Sequence, residues 1–539
     1  MAHGPVRDHR RSAKAPARAP AGRAAGRSAA RQAQRRRRQK VVKVVAISLA
    51  SVVLLGAGAA FYVYHQLNGN IQTTAISSKN KGVEKKDALG RSPINILAMG
   101  SDARNSAADC KLGGACKDSS GARADVEMVV HISADRSNAT VMSIPRDLVT
   151  DLPACTDEKS GRSVAARQDM INSALDYGAN CQVAAVHQLT GIPIDHFVEV
   201  DFAGVVSMSN AVGGVPVCVN HNVYDPQSHL KLSANKVHIL KDVAALQFLR
   251  TRHGFGDGSD NIGRTSGQHI FLSAMINQLK SAGTLSSPTK LYKLANAATK
   301  SLTVDTGLGS IPKLIDLAED LSKVPTKRIT FTTMQNNVDP ANTARVLEGP
   351  DADTLFRTIA NDQPLTDAAG KKTGTTAPTV APVDKSTVSV HVENGTSTIG
   401  WAGTVLKKLT DAGFSPSSTA GNADAPTATT TLTYPAGQVA QAKAVATALG
   451  LPTSHVKQGT GDGIVLLLGA DWTTGDTFPG GHPAPVDTKK ALTGALAYNG
   501  GDKSTCVQVS TQRTIASPTG GITPEQSYAR HPEIKDSAP

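Results

Sequence analysis

The sequence predicts an α/β fold in two parts, a larger layered domain and a small C-terminal domain, both following one N-terminal transmembrane helix. Three observations carry this. Short apolar runs alternate with helical patterns across residues 92–363. A Thr/Ala/Pro/Gly-rich linker at 364–387 precedes a second alternation at 388–470. Val44–Tyr64 is a run of twenty-one residues without a charge.

A helix of that length spans about 30 Å of hydrocarbon. Its flank of Arg35–Arg38, Lys40 and Lys43 suits the cytoplasmic side, and Phe61, Tyr62 and Tyr64 suit the far interface. A cleaved signal peptide is the alternative. The long basic region and the lack of a small-residue cleavage site argue against it. Residues 1–40 hold thirteen Lys/Arg against Asp8 alone, and everything after Lys43 balances to zero. The basic character therefore belongs to the tail, 1–43, which is expected to be disordered. The folded part gives no global reason to bind nucleic acid.

Residues 65–91 read as a polar stalk. Strands are expected at Ile94–Met99, Val126–Ile132, Thr140–Ile144 (stopped by Pro145), Phe197–Val200, Val215–Val219 and Ile329–Thr333. Helical spacing marks Gln168–Leu189 with a break at Gly178, then Phe202–Asn210, Val243–Leu249, Gln268–Leu279, Leu291–Ser301 and Ile311–Leu321. In the second domain, strands at Val388–Glu393, Thr429–Tyr434 and Ile464–Leu468 alternate with helices Ala402–Leu409 and Val439–Leu449. Residues 471–539 show little periodicity and read as an irregular or flexible tail. An extracytoplasmic location permits disulfides among the six cysteines. Cys110–Cys116 and Cys155–Cys181 are plausible pairs, free buried thiols the alternative, and no spacing suggests zinc.

The chemistry gathers where Arg and Asp follow apolar strands, the usual ligand edge of an α/β sheet. Asp102 and Arg104 leave the first strand, Arg123 and Asp125 open the second, and Arg146-Asp147 leave the third. Arg250 and Arg252 follow a helix, and Gln268 lies one helical turn beyond Arg264. Converging guanidinium groups suit phosphate oxygens. Asp102 and Asp125 suit Mg²⁺. Taken singly, each Arg–Asp pair also reads as a surface salt bridge. His253 and the Gly254–Gly258 run read as loop rather than catalyst or P-loop, and Tyr224 and Trp401 as packing.

The segments ILAMGSDAR (96–104), RAD (123–125), SIPRD (143–147), INSAL (171–175), GIPIDHFVEVDFAG (191–204), AVGGVPVCVN (211–220) and ALQFLRTRHGFGDGSD (245–260), with IGR (262–264) and Gln268, resemble the LytR-CpsA-Psr family in order and spacing. VHVENGT, GF at 413–414 and TTLTYPAG resemble the C-terminal domain often attached to it, and NHNVYDPQSHLKL looks actinobacterial. The resemblance implies a layered α-β-α catalytic domain around a central mixed sheet. It implies transfer of a glycopolymer from a polyprenyl-pyrophosphate carrier to a peptidoglycan hydroxyl, assisted by Mg²⁺ or Mn²⁺, by a single-pass enzyme with a cytoplasmic N-terminus in contact with membrane lipid. Residue by residue, Asp102 and Asp125 would hold the metal. Arg104, Arg123, Arg146, Arg250, Arg252, Arg264 and Gln268 would bind the pyrophosphate. Asp147 would orient Arg146 or help deprotonate the acceptor. The chain departs from the family pattern at Ala124, Val126, Met170, Gly267 and the lengthened Asp260–Arg264. Rival readings are a carrier-binding protein, a pyrophosphatase, and a transcriptional attenuator. The last fits least, since the tail has no recognisable DNA-reading fold.

Overall fold

A computed structural model describes residues 22–538 except 78–81, 83–90, 103–106, 114–121, 259–262, 281–286, 366–382, 452–454, 474–477, 479–487, 496, 503–505 and 519. The chain divides into two units, Met1–Gln66 and Leu67–Pro539.

The first unit is dominated by one helix that runs Gly22–Asn70, of which Arg37–Asn70 is long and apolar enough to cross a membrane, with its most apolar window unburied. This is a single-pass membrane anchor. The disordered tail expected over 1–43 needs correction from Gly22 onward. Pro16 and Pro20 are the last prolines before the span, and the Ala-, Arg- and Gln-rich stretch after them extends a helix that the span already nucleates. Residues 1–21 lie outside the described set.

The second unit is built on an eight-stranded mixed sheet. Its order is Gln72–Thr74, Leu302–Asp305, His196–Val200, Ile94–Ser101, Ala124–Ile132, Ala139–Ile144, Ile329–Thr333 and Ala497–Asn499. Period-two alternation supplies a core on each face. Leu97, Met99, Val129 and Met142 pack on one side with the helices Ala179–Thr190 and Ala352–Ala360. Ile96, Met128, Val141 and Phe331 pack on the other, against Leu272 and Ile276 of Thr265–Lys280 and Leu317 and Leu321 of Ile311–Lys323. The layered α-β-α arrangement is therefore present.

Two expectations are corrected here, while the expected break at Gly178 is present. The stalk is partly structural, because Gln72–Thr74 pairs in parallel with Leu302–Asp305 at the sheet edge. Arg167–Met170 is a strand paired antiparallel with Val149–Leu152. Helix starts only as a 3₁₀ turn at Ile171, breaks at Gly178 (φ 105°), and resumes at Ala179. Partner strands outweigh local helical spacing in this stretch.

The largest correction concerns 471–539. Ala497–Asn499 pairs antiparallel with Ile329–Thr333, and Cys506 is disulfide-bonded to Cys218. Lys231 Nζ reaches His531 O at 2.5 Å and Ile534 O at 2.6 Å. This stretch is irregular because it follows the contours of another domain, and local periodicity carries no trace of that. Cys155–Cys181 forms. Cys110 is also disulfide-bonded, while Cys116 lies outside the described residues.

The C-terminal module has its own core. Five strands run in the order Thr419–Asn422, Val390–Asn394, Ile464–Leu468, Thr431–Tyr434 and Val456–Gln458, with helices Trp401–Asp411 and Val439–Leu449. Trp401 is buried and its Nε1 donates to Trp472 O at 2.8 Å.

Candidate active site

The sheet delivers its charged residues to one end of three neighbouring strands. Asp102 follows Ile94–Ser101; its backbone N–H donates to Arg123 O at 3.1 Å, and its Oδ1 accepts from Arg123 N at 2.7 Å. Asp125 lies on the adjoining strand, and Arg146-Asp147 leave the next one after Pro145. Arg264 enters from the turn before the helix Thr265–Lys280.

Asp125 is the hub. Its Oδ1 accepts from Arg146 Nη1 at 2.6 Å, and its Oδ2 lies 3.5 Å from Nη2 of Arg264, whose side chain is only 5% exposed. Burial opposes ionisation of Asp125. Arg264 and Arg146 outweigh it, with a smaller contribution from Arg252, and hold the carboxyl below the ordinary Asp value. Asp147 Oδ2 accepts from Arg146 Nε at 3.3 Å, which fixes the guanidinium plane. Asp125, Glu127, Ser143, Arg146, Arg264 and Gln268 line a cavity of about 20 Å³. That is room for roughly one water, so a larger anion would sit at its mouth.

Not every expected residue reaches this hub. Arg123 is half-exposed and lies 3.7 Å from Asp176. Arg250 is exposed, donates to Leu112 O at 3.0 Å and stacks over Phe202 at 5.0 Å. Gln268 lines the cavity and contacts Leu249 O at 3.5 Å. His253 faces its own loop, with Nδ1 3.3 Å from Gly258 O. A Cβ at Gly267 would press on the Phe255 ring at 3.1 Å, so a larger residue there needs that ring to shift. Arg104 and Asp260 lie outside the described residues.

Sequence reasoning missed several neighbours. Arg345, from a hairpin over two hundred residues downstream of Arg123, lies 4.0 Å from Asp147 Oδ1. Arg167 stacks over Tyr177 at 4.8 Å and acts electrostatically on Asp176. Burial raises the Asp176 pKa, Arg123 opposes the rise, and Asp102 adds to it, so these groups form a second cluster at the cavity's flank. Beneath the hub, Glu127 accepts a hydrogen bond from Gln182 Nε2, and burial raises its carboxyl well above the ordinary Glu value. His269 is hydrogen-bonded to Ser143 at 2.7 Å, with its pKa pushed by burial down to about 3. One signal was available: a Glu within the apolar run 126–132.

With this geometry in hand, comparison with known proteins is decisive. The LytR_cpsA_psr family model matches residues 60–360, more than half the chain. The chain belongs to the LytR-CpsA-Psr family. It is accordingly an enzyme of transferase type. Residues 387–472 match the model described as LytR cell envelope-related transcriptional attenuator. Among its relatives in the family, the cell wall biosynthesis protein LcpA of Corynebacterium glutamicum is 26% identical over 466 residues, covering 81% of this chain and 88% of that protein. The polyisoprenyl-teichoic acid–peptidoglycan teichoic acid transferase TagU of Bacillus cereus is 26% identical over 262 residues, covering 48% and 76%. A LytR-Csp2A-Psr enzyme of known structure from Actinomyces oris is 22% identical, covers 54% of this chain and 96% of its own, and superposes with a TM-score of 0.39.

Proposed function

We propose that this enzyme transfers a glycopolymer from a polyprenyl-pyrophosphate carrier to a peptidoglycan hydroxyl. Its basic N-terminus would be cytoplasmic and its second unit extracytoplasmic, as the Arg/Lys flank of the span favours. The observation that carries the reading is the meeting of Arg146 and Arg264 on Asp125, from segments more than a hundred residues apart, with Arg252 close enough to add to the field at that carboxylate. Guanidinium forks at strand ends grip pyrophosphate oxygens. The names of the TagU and TagT relatives point the same way.

The acceptor oxygen would attack the phosphorus nearest the glycopolymer. The bridging P–O bond breaks, a phosphodiester forms, and polyprenyl phosphate leaves with the bridging oxygen. The arginines stabilise charge on the departing phosphate. Asp147, held against Arg146 and close to Arg345, would orient Arg146 or help deprotonate the acceptor.

Asp102 and Asp125 would hold Mg²⁺, for which carboxylate oxygens are suited. Asp102 and Asp125 stand on neighbouring strand ends, Asp125 is held ionised, and Mg²⁺ keeps waters and substrate phosphates as its other ligands. No group of three or more His, Cys, Asp or Glu able to hold a metal occurs among the described residues, so these two carboxylates would be the protein's share. The ion would supply charge neutralisation at the pyrophosphate.

The test is to incubate the full chain with Mg²⁺, a lipid-pyrophosphate oligosaccharide and peptidoglycan, and to look for the covalent linkage. Transfer that survives Arg146→Ala unchanged would sink the site. Phosphate release without linkage would replace transfer by pyrophosphatase activity, and carrier bound but unaltered would leave a binding protein.

A further inference from the structure

The chain beyond the C-terminal module returns to the domain built on the eight-stranded sheet and clasps the loop that runs between Arg252 and Arg264. Cys506 is bonded to Cys218, the last residue of the strand Val215–Cys218. Immediately afterwards Val507 N donates to Cys218 O at 2.9 Å, and Val507 O accepts from Asn220 N at 3.1 Å. The Asn220 side chain then grips the same segment, accepting from Val509 N and donating to Gln508 Oε1, each at 2.7 Å.

The opposite edge of this strap holds the loop that follows the helix Asp242–Arg250. Gly256 N donates to Gln508 O at 2.8 Å, and Ser510 N to Gly254 O at 3.0 Å. Thr514 Oγ1 donates to His253 O at 2.6 Å. Val507, Val509 and Phe255 are buried in one cluster with Phe248 and Phe271. Residues 507–514 thus form an inserted rung between 218–220 and 253–256.

Left alone, this loop has little to fix it: Gly254, Gly256, Gly258 and Gly263 fall within ten residues. Its two ends nevertheless touch. A Cβ on Gly263 would lie 2.1 Å from Phe255 O, and one on Gly258 would lie 2.1 Å from Thr514 Cγ2. Fixing Phe255 therefore fixes Gly263, and the next residue is Arg264. On the other side His253, held by Thr514, is the residue after Arg252.

We propose that residues 506–514, locked by Cys218–Cys506, are a positioning segment that holds the loop between Arg252 and Arg264, and through it sets Arg264 in the anion pocket and the place of the flanking Arg252. None of these residues lines the pocket, so the segment acts only through the loop. Its consequence for pyrophosphate binding rests on the reading of the pocket given above.

Two readings on the full chain in detergent test this, one of them independent of ligand. Hydrogen exchange compares wild type with Cys218→Ser/Cys506→Ser and with Thr514→Val. Release of the strap should speed exchange at 253–258 and at 264–268, while the central strand 126–131 stays protected and shows that the domain is folded. Inorganic pyrophosphate is then titrated calorimetrically. Its affinity should fall five- to tenfold in both variants and recover in Thr514→Ser, which keeps the hydroxyl. Faster exchange confined to 507–514, or pyrophosphate bound as in wild type by a variant whose loop exchanges faster, would overturn the proposal. A wild type that binds no pyrophosphate would instead refute the pocket's ligand, and the exchange pattern at 264–268 would still decide for or against the strap.

Discussion

Asp125 and Glu127 sit two residues apart on one strand, line the same cavity, and are pushed in opposite directions. At Asp125 burial is outweighed by Arg264 and Arg146, and the carboxyl titrates below its usual value. At Glu127, whose hydrogen-bond partner is the neutral amide of Gln182, burial acts alone and favours the neutral acid. The mouth of the cavity is thus an ionised, arginine-bound region. Its interior is an uncharged one, which Ser143 and the neutral His269 extend. Burial raises both carboxyl pKa values, and the partners decide which side of neutrality wins.

The sharpest way to break this contrast is at the mouth. Asp125→Ala should lower transfer by roughly 10²–10³-fold, the scale of losing a positioned charge in an active site, measured as linked polymer at saturating Mg²⁺. It should also destabilise the fold, because Arg264 would remain buried without its carboxylate.

Arg252 and Arg250 sharpen the contrast in binding. Arg252 acts on Asp125 whereas Arg250 is stacked on Phe202, so Arg252→Ala should weaken pyrophosphate binding about tenfold, a loss of roughly 1.4 kcal/mol, and Arg250→Ala less. Equal losses would mean that Arg250 swings into the pocket when ligand binds.

In stability the two carboxyls should carry opposite signs. Asp125, lowered in the fold, contributes stability that is present above the ordinary value of 3.8 and is lost as pH falls through its folded value. Glu127, raised in the fold, costs stability as pH climbs above 4.5, because only the unfolded chain ionises readily. Glu127→Gln should therefore raise the melting temperature by a few degrees at pH 7.5 and leave it unchanged near pH 4. A fall at both pH values would show that the acid proton itself is needed for packing. The smallest effect belongs to His269. Since it is held neutral down to about pH 3, stability is lost as pH falls from 6.5 toward that value. His269→Gln should flatten the acid limb of a melting-temperature profile between pH 6 and 4.

Much of this molecule is legible along the chain because it depends on neighbours in sequence. The anchor is an uncharged run of sufficient length. The strands Ile94–Ser101, Ala124–Ile132 and Ala139–Ile144 announce themselves by apolar residues, and Pro145 marks where the last one ends. Asp102, Asp125 and Arg146 are likewise readable, as charges at the ends of such runs, and Arg264 by its spacing one helical turn before Gln268. The stretch at 167–170 was misread because its strand character comes from the partner Val149–Leu152 rather than from its own pattern.

The sequence by itself determined which residues could form a phosphate site and which segment could cross a membrane, since composition and short-range spacing suffice for both. Tertiary structure alone decided that the Asp125 carboxyl is held below its usual pKa while that of Glu127 is pushed above it, that Arg250 and Arg252 have different surroundings, and that Cys218 takes Cys506 from 288 positions away. Each of these follows from groups brought together by packing. Distance in space sets both electrostatic coupling and bond formation, and no local period in the chain encodes it.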